Sequence, residues 1–156
     1  MENNVFVVRA LKEKGLHISF AESCTGGLVA AAAVDVPDAS YVLDAAFVTY
    51  ANSAKMTYVG VKKETLEKFG AVSEETAGEM AAGCAKAAGA DIGVSTSGIA
   101  GPGGGTPEKP VGTVCFGFYR DGKTETHTRH FPGDRGAVRK AAVEFVYAVL
   151  ADALKP

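Results

Sequence analysis

The spacing of hydrophobic and polar residues changes several times along the chain, and each change marks the border of a predicted helix or strand. Val5, Val8 and Leu11 recur at the spacing of one helix face. They predict a first helix, for which we expect Asn3 or Asn4 to be the cap. The pattern then shortens to a period of two, which is typical of a strand.

Three segments have the pattern of strands that would lie in one sheet. Apolar and polar residues alternate over 16–20, and the segments 44–50 (DAAFVTY) and 91–97 (DIGVSTS) are short, mostly apolar runs. We expect the second of these strands to be largely buried. Helical segments separate the three strands, so right-handed crossovers would make them parallel.

The last part of the chain predicts a β-hairpin followed by a helix. Segments 111–119 and 123–131 flank Asp121-Gly122, which is a strong signal for a two-residue turn. A second helix is predicted after the double glycine at 26–27, and a short helix over 64–69. Three more predicted helices begin at the caps Asn52, Ser73 and Asp134. This order predicts an α/β fold, namely a three-layer α/β/α sandwich with a mixed, mostly parallel sheet of about five strands that includes an antiparallel hairpin strand.

Length and composition narrow the class of protein. The 156 residues suggest a single domain over 1–156, and a net charge of −2 gives no basic surface for nucleic acid. The longest apolar run, residues 28–34, is too short to cross a membrane. Three widely spaced cysteines predict neither disulfides nor a zinc site, so we expect a reduced, cytoplasmic protein without a metal.

The three parallel strands are each followed by an unusual stretch. ESCT follows the first strand, TYANSAK ends the second, and a glycine-rich loop follows the third. Because the carboxyl ends of parallel strands share one edge of a sheet, we expect these stretches to converge there, where open α/β folds bind ligands.

Ser23 in the first stretch has two interpretations. It is either a cap for the following helix or a nucleophile whose oxyanion is held by free backbone N–H groups, with Thr25, Gly26 and Gly27 close to the substrate. Cys24 is an alternative nucleophile, although a cysteine here is more often a small buried apolar residue.

A serine nucleophile needs a base, and Lys55 fits better than the histidines. Lys55 would lie in the first turn of a helix, where the helix dipole disfavours its charged form and lowers its pKa. Tyr50, at the end of the second strand, is a candidate to orient this pair or to bind the substrate. Taken singly, Lys55 and Tyr50 are better explained as a surface lysine and a half-buried tyrosine. Together with Ser23 on the neighbouring strand end, a catalytic role becomes competitive.

The loop after the third strand, GIAGPGGGT, is rich enough in glycine to form an anion-binding nest of backbone N–H groups. Its candidate contacts for a phosphate or carboxylate are Gly98, Gly101, Gly103 and Gly104. Arg135 is a candidate to add positive charge. The loop lacks the ending of a Walker A motif and leads into a strand, so it does not predict a nucleoside triphosphate site.

Six motifs in the same order resemble the CinA C-terminal domain family across nearly the whole chain. They are AESCTGG at 21–27, FVTYANSAK at 47–55, GAVSEETA at 70–77, SGIAGPGGG at 97–105, KPVGTV at 109–114 and FPGDR at 131–135. The resemblance implies a three-layer mixed-sheet fold and nicotinamide-nucleotide amidase activity, with Ser23 as nucleophile and Tyr50 and Lys55 as its partners.

The resemblance further implies a small nucleotide substrate, nicotinamide mononucleotide, and no cofactor or metal. It leaves open whether the chain forms homo-oligomers. Two alternatives remain at this point. One is a nucleotide-binding regulatory module without turnover, and the other is a serine–lysine hydrolase that acts on a different amide.

Overall fold

A computed structural model of the chain describes residues 2–156. Its helices are α1 (Asn3–Lys14), α2 (Leu28–Val34), α3 (Asn52–Val59), α4 (Lys63–Phe69), α5 (Glu74–Ala88) and α6 (Arg135–Ala153), with one 3₁₀ turn at Ala39–Tyr41. Its strands are β1 (Ile18–Glu22), β2 (Phe47–Val48), β3 (Ile92–Gly98), β4 (Thr113–Arg120) and β5 (Lys123–His130). In the described part of the chain, no helix has the length and apolar character needed to cross a membrane.

The five strands form one mixed sheet in the order β2-β1-β3-β4-β5. β1 is parallel to both β2 and β3, whereas β4 is antiparallel to β3 and to β5. Four strands therefore share one direction and β4 opposes them. The predicted fold class, including the parallel first three strands and the antiparallel hairpin strand, is confirmed.

Helices cover both faces of the sheet, and a hydrophobic core lies on each face. Phe20, Val94 and Phe116 belong to the larger core, which contains buried residues of α1, α2 and α6. Ala21 and Met80 belong to the smaller core between the sheet and the layer of α3, α4 and α5. The helix α5 lies close to the sheet because Gly117 has no side chain, since a Cβ atom there would come within 2.3 Å of the Ala77 carbonyl oxygen.

The second strand is much shorter than predicted. Only Phe47–Val48 pairs with β1, and Val48 is exposed, so the prediction of a largely buried strand over 44–50 is wrong. The apolar run gave a wrong prediction of burial because β2 lies at the edge of the sheet. A sequence run does not show how many neighbours a strand has.

Two predicted helix caps are also displaced. Glu2 occupies the N-cap position of α1 and Ala51 that of α3, and neither provides a side-chain cap. Asn4 instead donates its side-chain amide to the carbonyl of Ala32 at 2.9 Å. The predicted caps Ser73 and Asp134 are confirmed, because the side chain of each accepts a hydrogen bond from the backbone three residues further on.

Candidate active site

Ser23 lies in a tight turn between β1 and α2. Its N–H donates to the carbonyl of Thr96 in β3 at 3.0 Å, which extends the strand pairing by one residue. Its own carbonyl accepts a hydrogen bond from the Gly26 N–H at 3.1 Å. The N-cap position of α2 is occupied by Gly27. Ser23 is therefore not the cap of α2, and its hydroxyl is free for another role.

Lys55 reaches Ser23 from the first turn of α3. Its Nζ lies 3.1 Å from Ser23 Oγ, 2.8 Å from the Thr49 carbonyl oxygen and 3.0 Å from the Tyr50 carbonyl oxygen. Lys55 is only 1% exposed. Within residues 2–156, no carboxylate forms an ion pair with it. The lysine is thus buried among neutral oxygen atoms.

This environment favours the neutral amine. Burial lowers the pKa of Lys55 below its ordinary value of 10.5, because an ammonium group without a counter-ion is poorly stabilised away from water. A neutral amine has two N–H donors and one lone pair. The two carbonyl oxygens can accept both donors, which leaves the lone pair for the hydroxyl proton of Ser23. That is the arrangement a general base requires.

Two backbone N–H groups next to Ser23 are without acceptors. Those of Ser23, Gly26 and Gly27 donate to the Thr96 carbonyl, the Ser23 carbonyl and the Glu22 carboxylate respectively. The N–H groups of Cys24 and Thr25 donate to no acceptor among residues 2–156. Thr25 is 0% exposed and Cys24 is 6% exposed, so the Cys24 N–H is the candidate donor to a developing oxyanion. The Gly26 N–H is already used within the turn.

The buried carboxylate of Glu22 forms hydrogen bonds that stabilise the Ser23 turn and the start of α2. Its Oε1 accepts hydrogen bonds from the Thr25 hydroxyl at 2.6 Å and from the N–H groups of Gly27 and Val29 at 3.2 and 2.9 Å, and its Oε2 accepts from the Ala30 N–H at 3.0 Å. A carboxylate at the start of α2 is also stabilised by the helix dipole.

Thr25 cannot offer its hydroxyl to a substrate in this arrangement. The residue is fully buried, and its Oγ1 bonds both Glu22 and the Thr96 hydroxyl, the latter at 2.7 Å. Thr25 therefore presents no exposed surface to a substrate in this arrangement. Gly26 and Gly27 have φ angles of 57° and 104°, so both glycines are required by the backbone conformation of the turn.

Arg139 of α6 contacts the turn from the opposite side. Its Nε donates to the Cys24 carbonyl at 2.9 Å and its Nη2 donates to the Thr25 carbonyl at 3.2 Å. The Ser23 turn is thus held between a carboxylate and a guanidinium that are 117 positions apart in sequence (139 minus 22).

Tyr50 and Arg135 meet beside the glycine loop. The Tyr50 side chain is 64% exposed, and its hydroxyl accepts a hydrogen bond from Arg135 Nη2 at 3.3 Å. Arg135 Nη1 donates to the Gly101 carbonyl at 2.9 Å. Tyr50 contacts Lys55 through its backbone carbonyl, whereas its phenol contacts Arg135.

The positions of the loop differ in whether, and why, the fold requires a glycine there. Gly98 ends β3 so close to β4 that a Cβ atom would lie 2.7 Å from a Val114 methyl group. Gly101 and Gly104 have φ angles of 86° and 89°. Gly103 has neither a positive φ nor any heavy atom within 4 Å of a Cβ at its position. Nothing in the fold itself therefore requires a glycine at 103.

Backbone donors are available along this loop. Within residues 2–156, the N–H groups of Gly101, Gly103, Gly104 and Gly105 have no hydrogen-bond acceptor. Lys109 turns away and donates to the Phe69 carbonyl at 2.7 Å. Among the described residues, Arg135 is thus the side-chain cation that hydrogen-bonds to this loop.

The alternative nucleophile and bases lie in unsuitable environments. Burial raises the pKa of the Cys24 thiol to about 11, so its thiolate is scarce near neutral pH. The histidine partners are Asp44 for His17, Glu125 for His127 and Thr113 for His130. In residues 2–156, no cluster of three or more His, Cys, Asp or Glu side chains could hold a metal ion.

Sequence reasoning missed the roles of Glu22, Thr96 and Arg139 in shaping the site. An acidic residue shortly before a helix is a recognisable signal, because it complements the helix dipole, and it could have identified Glu22. No sequence signal identifies Arg139 or Thr96, because only the packing of α6 and the pairing of β3 bring them to the turn.

Fold and site together define the class of protein: a three-layer α/β domain with a buried serine–lysine pair where its parallel strands end. The chain belongs to the CinA C-terminal domain family, whose model matches residues 2–154. The crystal structure of a CinA superfamily protein from Klebsiella pneumoniae is similar over 97% of this chain and 95% of that one, with a TM-score of 0.94 and 41% identity.

Two curated relatives show how the family varies in length. The chain is 54% identical over 145 residues to the nicotinamide-nucleotide amidohydrolase PncC of Enterobacter agglomerans, covering 92% of this chain and 88% of that protein. It is 55% identical over 150 residues to a CinA-like protein of Kosmotoga olearia, covering 96% of this chain but only 36% of that protein. The chain thus spans about a third of the longer relative, and the resemblance seen in the sequence motifs is confirmed.

Proposed function

We propose that this chain is an amidohydrolase that converts nicotinamide mononucleotide to nicotinate mononucleotide and ammonia, with Ser23 as nucleophile and Lys55 as base. The observation that carries the proposal is the 3.1 Å approach of Lys55 Nζ to Ser23 Oγ, at a buried position where the lysine has two carbonyl partners and no carboxylate partner among residues 2–156. The substrate class rests on similarity to the Enterobacter agglomerans relative, whose name is nicotinamide-nucleotide amidohydrolase.

The first half of the reaction forms an acyl-enzyme. The lone pair of neutral Lys55 takes the hydroxyl proton as Ser23 Oγ attacks the carboxamide carbon. The carbonyl oxygen becomes an oxyanion, to which the free N–H group of Cys24 would donate. Lys55, now protonated, gives its proton to the amide nitrogen as the carbon–nitrogen bond breaks, and ammonia leaves.

The second half releases the product. Lys55 is neutral again and accepts a proton from a water molecule, which attacks the ester carbon of the acyl-enzyme. The same N–H group would donate to the second oxyanion. Collapse of this intermediate breaks the bond to Ser23 Oγ, and Lys55 returns the proton to that oxygen. The proton balance closes with one water consumed and one ammonia released.

The glycine loop would bind the phosphate of the nucleotide. Its unpartnered N–H groups at Gly101, Gly103 and Gly104 are donors for an anion, and Arg135 lies against the same loop. The exposed phenol of Tyr50 borders this region. Binding energy from the phosphate would hold the carboxamide next to Ser23 and so contribute to the rate. The proposal places the enzyme in the cytoplasm, where three free cysteines remain reduced.

Ammonia release from nicotinamide mononucleotide by the purified chain tests the proposal. Ser23→Ala should lower turnover by about 10³-fold or more while leaving the fold intact, because the nucleophile is removed without adding volume. Ser53→Ala is the matched control, since Ser53 is an exposed serine of α3, and it should retain wild-type turnover.

The two other function classes give different results in the same experiment. A regulatory module would bind the nucleotide in a folded wild-type protein without releasing ammonia at any pH. A serine–lysine hydrolase for another amide would fail with this nucleotide but lose its activity on that other amide in Ser23→Ala. Either result would replace the proposed substrate.

A further inference from the structure

The hydrogen-bond ladder between β1 and β3 stops one bond early, at Ser23. The Ser23 N–H donates to the Thr96 carbonyl at 3.0 Å. In a parallel ladder, a residue that donates to one position of its neighbour accepts from the position two residues further on. The next bond would therefore run from the Gly98 N–H to the Ser23 carbonyl. That carbonyl instead accepts the Gly26 N–H within the turn, and the bond from Gly98 is not made.

The pairing of β3 with β4 does not engage the Gly98 N–H either. Gly98 lies opposite Val114 in this antiparallel pair. Residues opposite each other in such a pair alternate between bonded and non-bonded pairs. The Ile99 N–H donates to the Thr113 carbonyl at 2.9 Å, so the adjacent pair of Gly98 and Val114 is a non-bonded one. The Gly98 N–H therefore points to the β1 side of β3, and it has no acceptor among residues 2–156.

This N–H faces the end of β1 at the level of Ser23, across the spacing of neighbouring strands, which is about 4.8 Å. The region is accessible from outside the domain. Ser23 and Cys24 are 8% and 6% exposed, and Gly98 is half-buried. Because glycine has no side chain, the surface that Gly98 exposes belongs to its backbone. The nucleophile and a free donor on the neighbouring strand thus both reach the surface at this edge of the sheet.

We infer that the Gly98 N–H is the second donor to the oxyanion formed at Ser23, and that it acts together with the Cys24 N–H. The inference rests on the proposed serine mechanism. Two donors of this kind form the oxyanion hole of α/β-hydrolases, in which one N–H follows the nucleophile and the other comes from a separate loop after another strand. Gly98 therefore serves the carboxamide end of the substrate, whereas the later glycines of the loop serve the phosphate.

The position of Gly98 in a strand fixes the direction of its N–H before a substrate binds. A Cβ atom at Gly98 would lie 2.7 Å from a Val114 methyl group and 2.8 Å from the Thr113 carbonyl oxygen, so β3 and β4 are in close contact here. A donor that is already oriented needs no rearrangement when negative charge develops on the substrate oxygen. The same close contact means that a larger side chain at this position would displace β4.

The test therefore removes the N–H and leaves the side chain unchanged. Glycolic acid in place of Gly98 converts the preceding amide to an ester, in which an oxygen atom replaces the N–H group. Native chemical ligation at Cys84 and Cys115 assembles the full chain, so that only the segment 84–114 is synthetic. An all-amide chain that is ligated and refolded in the same way is the reference.

The matched control carries the same amide-to-ester change before Glu108. This residue is exposed, its N–H has no acceptor among residues 2–156, and the proposed mechanism gives it no role. Circular dichroism establishes that each refolded chain is folded before the assays.

Two probes measure the effect. The first is a fluorophosphonate, which tests the oxyanion site without the natural substrate. Ser23 Oγ attacks phosphorus, the phosphorus–fluorine bond breaks, fluoride leaves, and the hydroxyl proton passes to Lys55. The phosphoryl oxygen takes the place of the oxyanion, and the rate of modification is measured by intact mass. The second probe is turnover of nicotinamide mononucleotide.

Loss of an oxyanion donor slows bond formation without weakening substrate binding. We expect the ester before Gly98 to lower both kcat and the phosphonylation rate by about 10²- to 10³-fold, with KM changed less than about threefold. The ester before Glu108 should stay within about twofold of the all-amide chain.

Four results would overturn the inference. The folded Gly98 ester could react with the fluorophosphonate within about threefold of the all-amide chain. It could raise KM at unchanged kcat, or the Glu108 ester could be slowed equally. A Gly98 ester that does not fold, beside a folded Glu108 ester, would show that the fold itself uses this N–H.

The all-amide chain separates the inference from the proposed function. If its Ser23 reacts with the fluorophosphonate but it does not hydrolyse the nucleotide, only the proposed substrate falls, and the labelling rates still decide the role of Gly98. If its Ser23 reacts with neither, the serine mechanism and the role of Gly98 fall together.

Discussion

Lys55 Nζ lies 3.1 Å from Ser23 Oγ although 32 positions separate the two residues in the chain. The approach follows from the pairing of two parallel strands. Glu22 of β1 pairs with Val48 of β2, so Ser23 and Thr49 leave the sheet side by side. The first turn of α3 then brings the lysine back over the serine. The relationship is therefore built into the backbone and does not require a substrate to form.

The first prediction concerns the charge state that Lys55 can adopt. Lys55→Arg should lower turnover by about 10³-fold or more, because a guanidinium cannot lose a proton at ordinary pH and so cannot act as a base. Lys55→Met should have a similar effect, because the methionine side chain has no nitrogen that could accept the proton. Both are measured as ammonia release from nicotinamide mononucleotide. Substantial turnover by Lys55→Arg would exclude Lys55 as the base.

The second prediction concerns pH. Because burial lowers the pKa of Lys55, kcat/KM should rise with pH through a midpoint below 10.5 as the neutral amine becomes the main form. The effect on stability has the same direction. Between the lowered pKa and 10.5 the unfolded chain binds more protons than the folded one, so the free energy of unfolding rises with pH in that window.

Lys55→Met serves as the reference for that measurement because it does not titrate. The difference in unfolding free energy between wild type and Lys55→Met should shift in favour of wild type as pH increases toward 10.5. A difference that is flat across this window would mean that the pKa of Lys55 is not lowered in the folded protein.

The third prediction concerns Glu22. In Glu22→Gln one oxygen can still accept from Thr25, Gly27 and Val29, but the new amide nitrogen faces the N–H of Ala30, which is also a donor. The charge at the start of α2 is lost as well. We expect the free energy of unfolding in urea to fall by about 1–3 kcal/mol. Glu144→Gln, an exposed change in α6, should stay within about 0.5 kcal/mol of wild type.

The fourth prediction separates phosphate binding from catalysis. Arg135→Met should raise KM for nicotinamide mononucleotide by about 10-fold or more, since a charged hydrogen bond to phosphate contributes about 1.5–3 kcal/mol. The same variant should not change KM for the riboside, which has no phosphate. Arg9→Met in α1 provides an exposed arginine as control. An equal loss with both substrates would assign Arg135 a role other than phosphate binding.

The fifth prediction uses a hydroxyl without a partner. Thr49 is 1% exposed, and its Oγ1 has no hydrogen-bond partner among residues 2–156. Thr49→Val keeps the shape and removes a desolvated polar group, so it should leave the unfolding free energy unchanged or raise it by about 1 kcal/mol. Its backbone carbonyl still binds Lys55. A loss of more than about 1 kcal/mol in urea unfolding would show that the hydroxyl is bonded in solution.

The sequence alone determined the order of elements and the class of fold, and it singled out the residues to which we propose to assign the chemistry. Alternation, caps and turn residues are local properties, and a motif is a local string. They therefore predicted the hairpin around Asp121-Gly122, the start of α5 at Ser73 and the convergence of three strand ends, which in turn placed Ser23 near Lys55.

Only the tertiary structure decided which groups around Ser23 are free and which are already engaged. It showed that β2 is a short edge strand, that the Thr25 hydroxyl is bonded to Glu22, and that the N–H groups of Cys24 and Thr25 have no acceptor in the described part of the chain. It also brought Arg139 to the turn from α6. Hydrogen bonds between residues so distant in sequence depend on how helices pack against the sheet, and no local pattern encodes that packing.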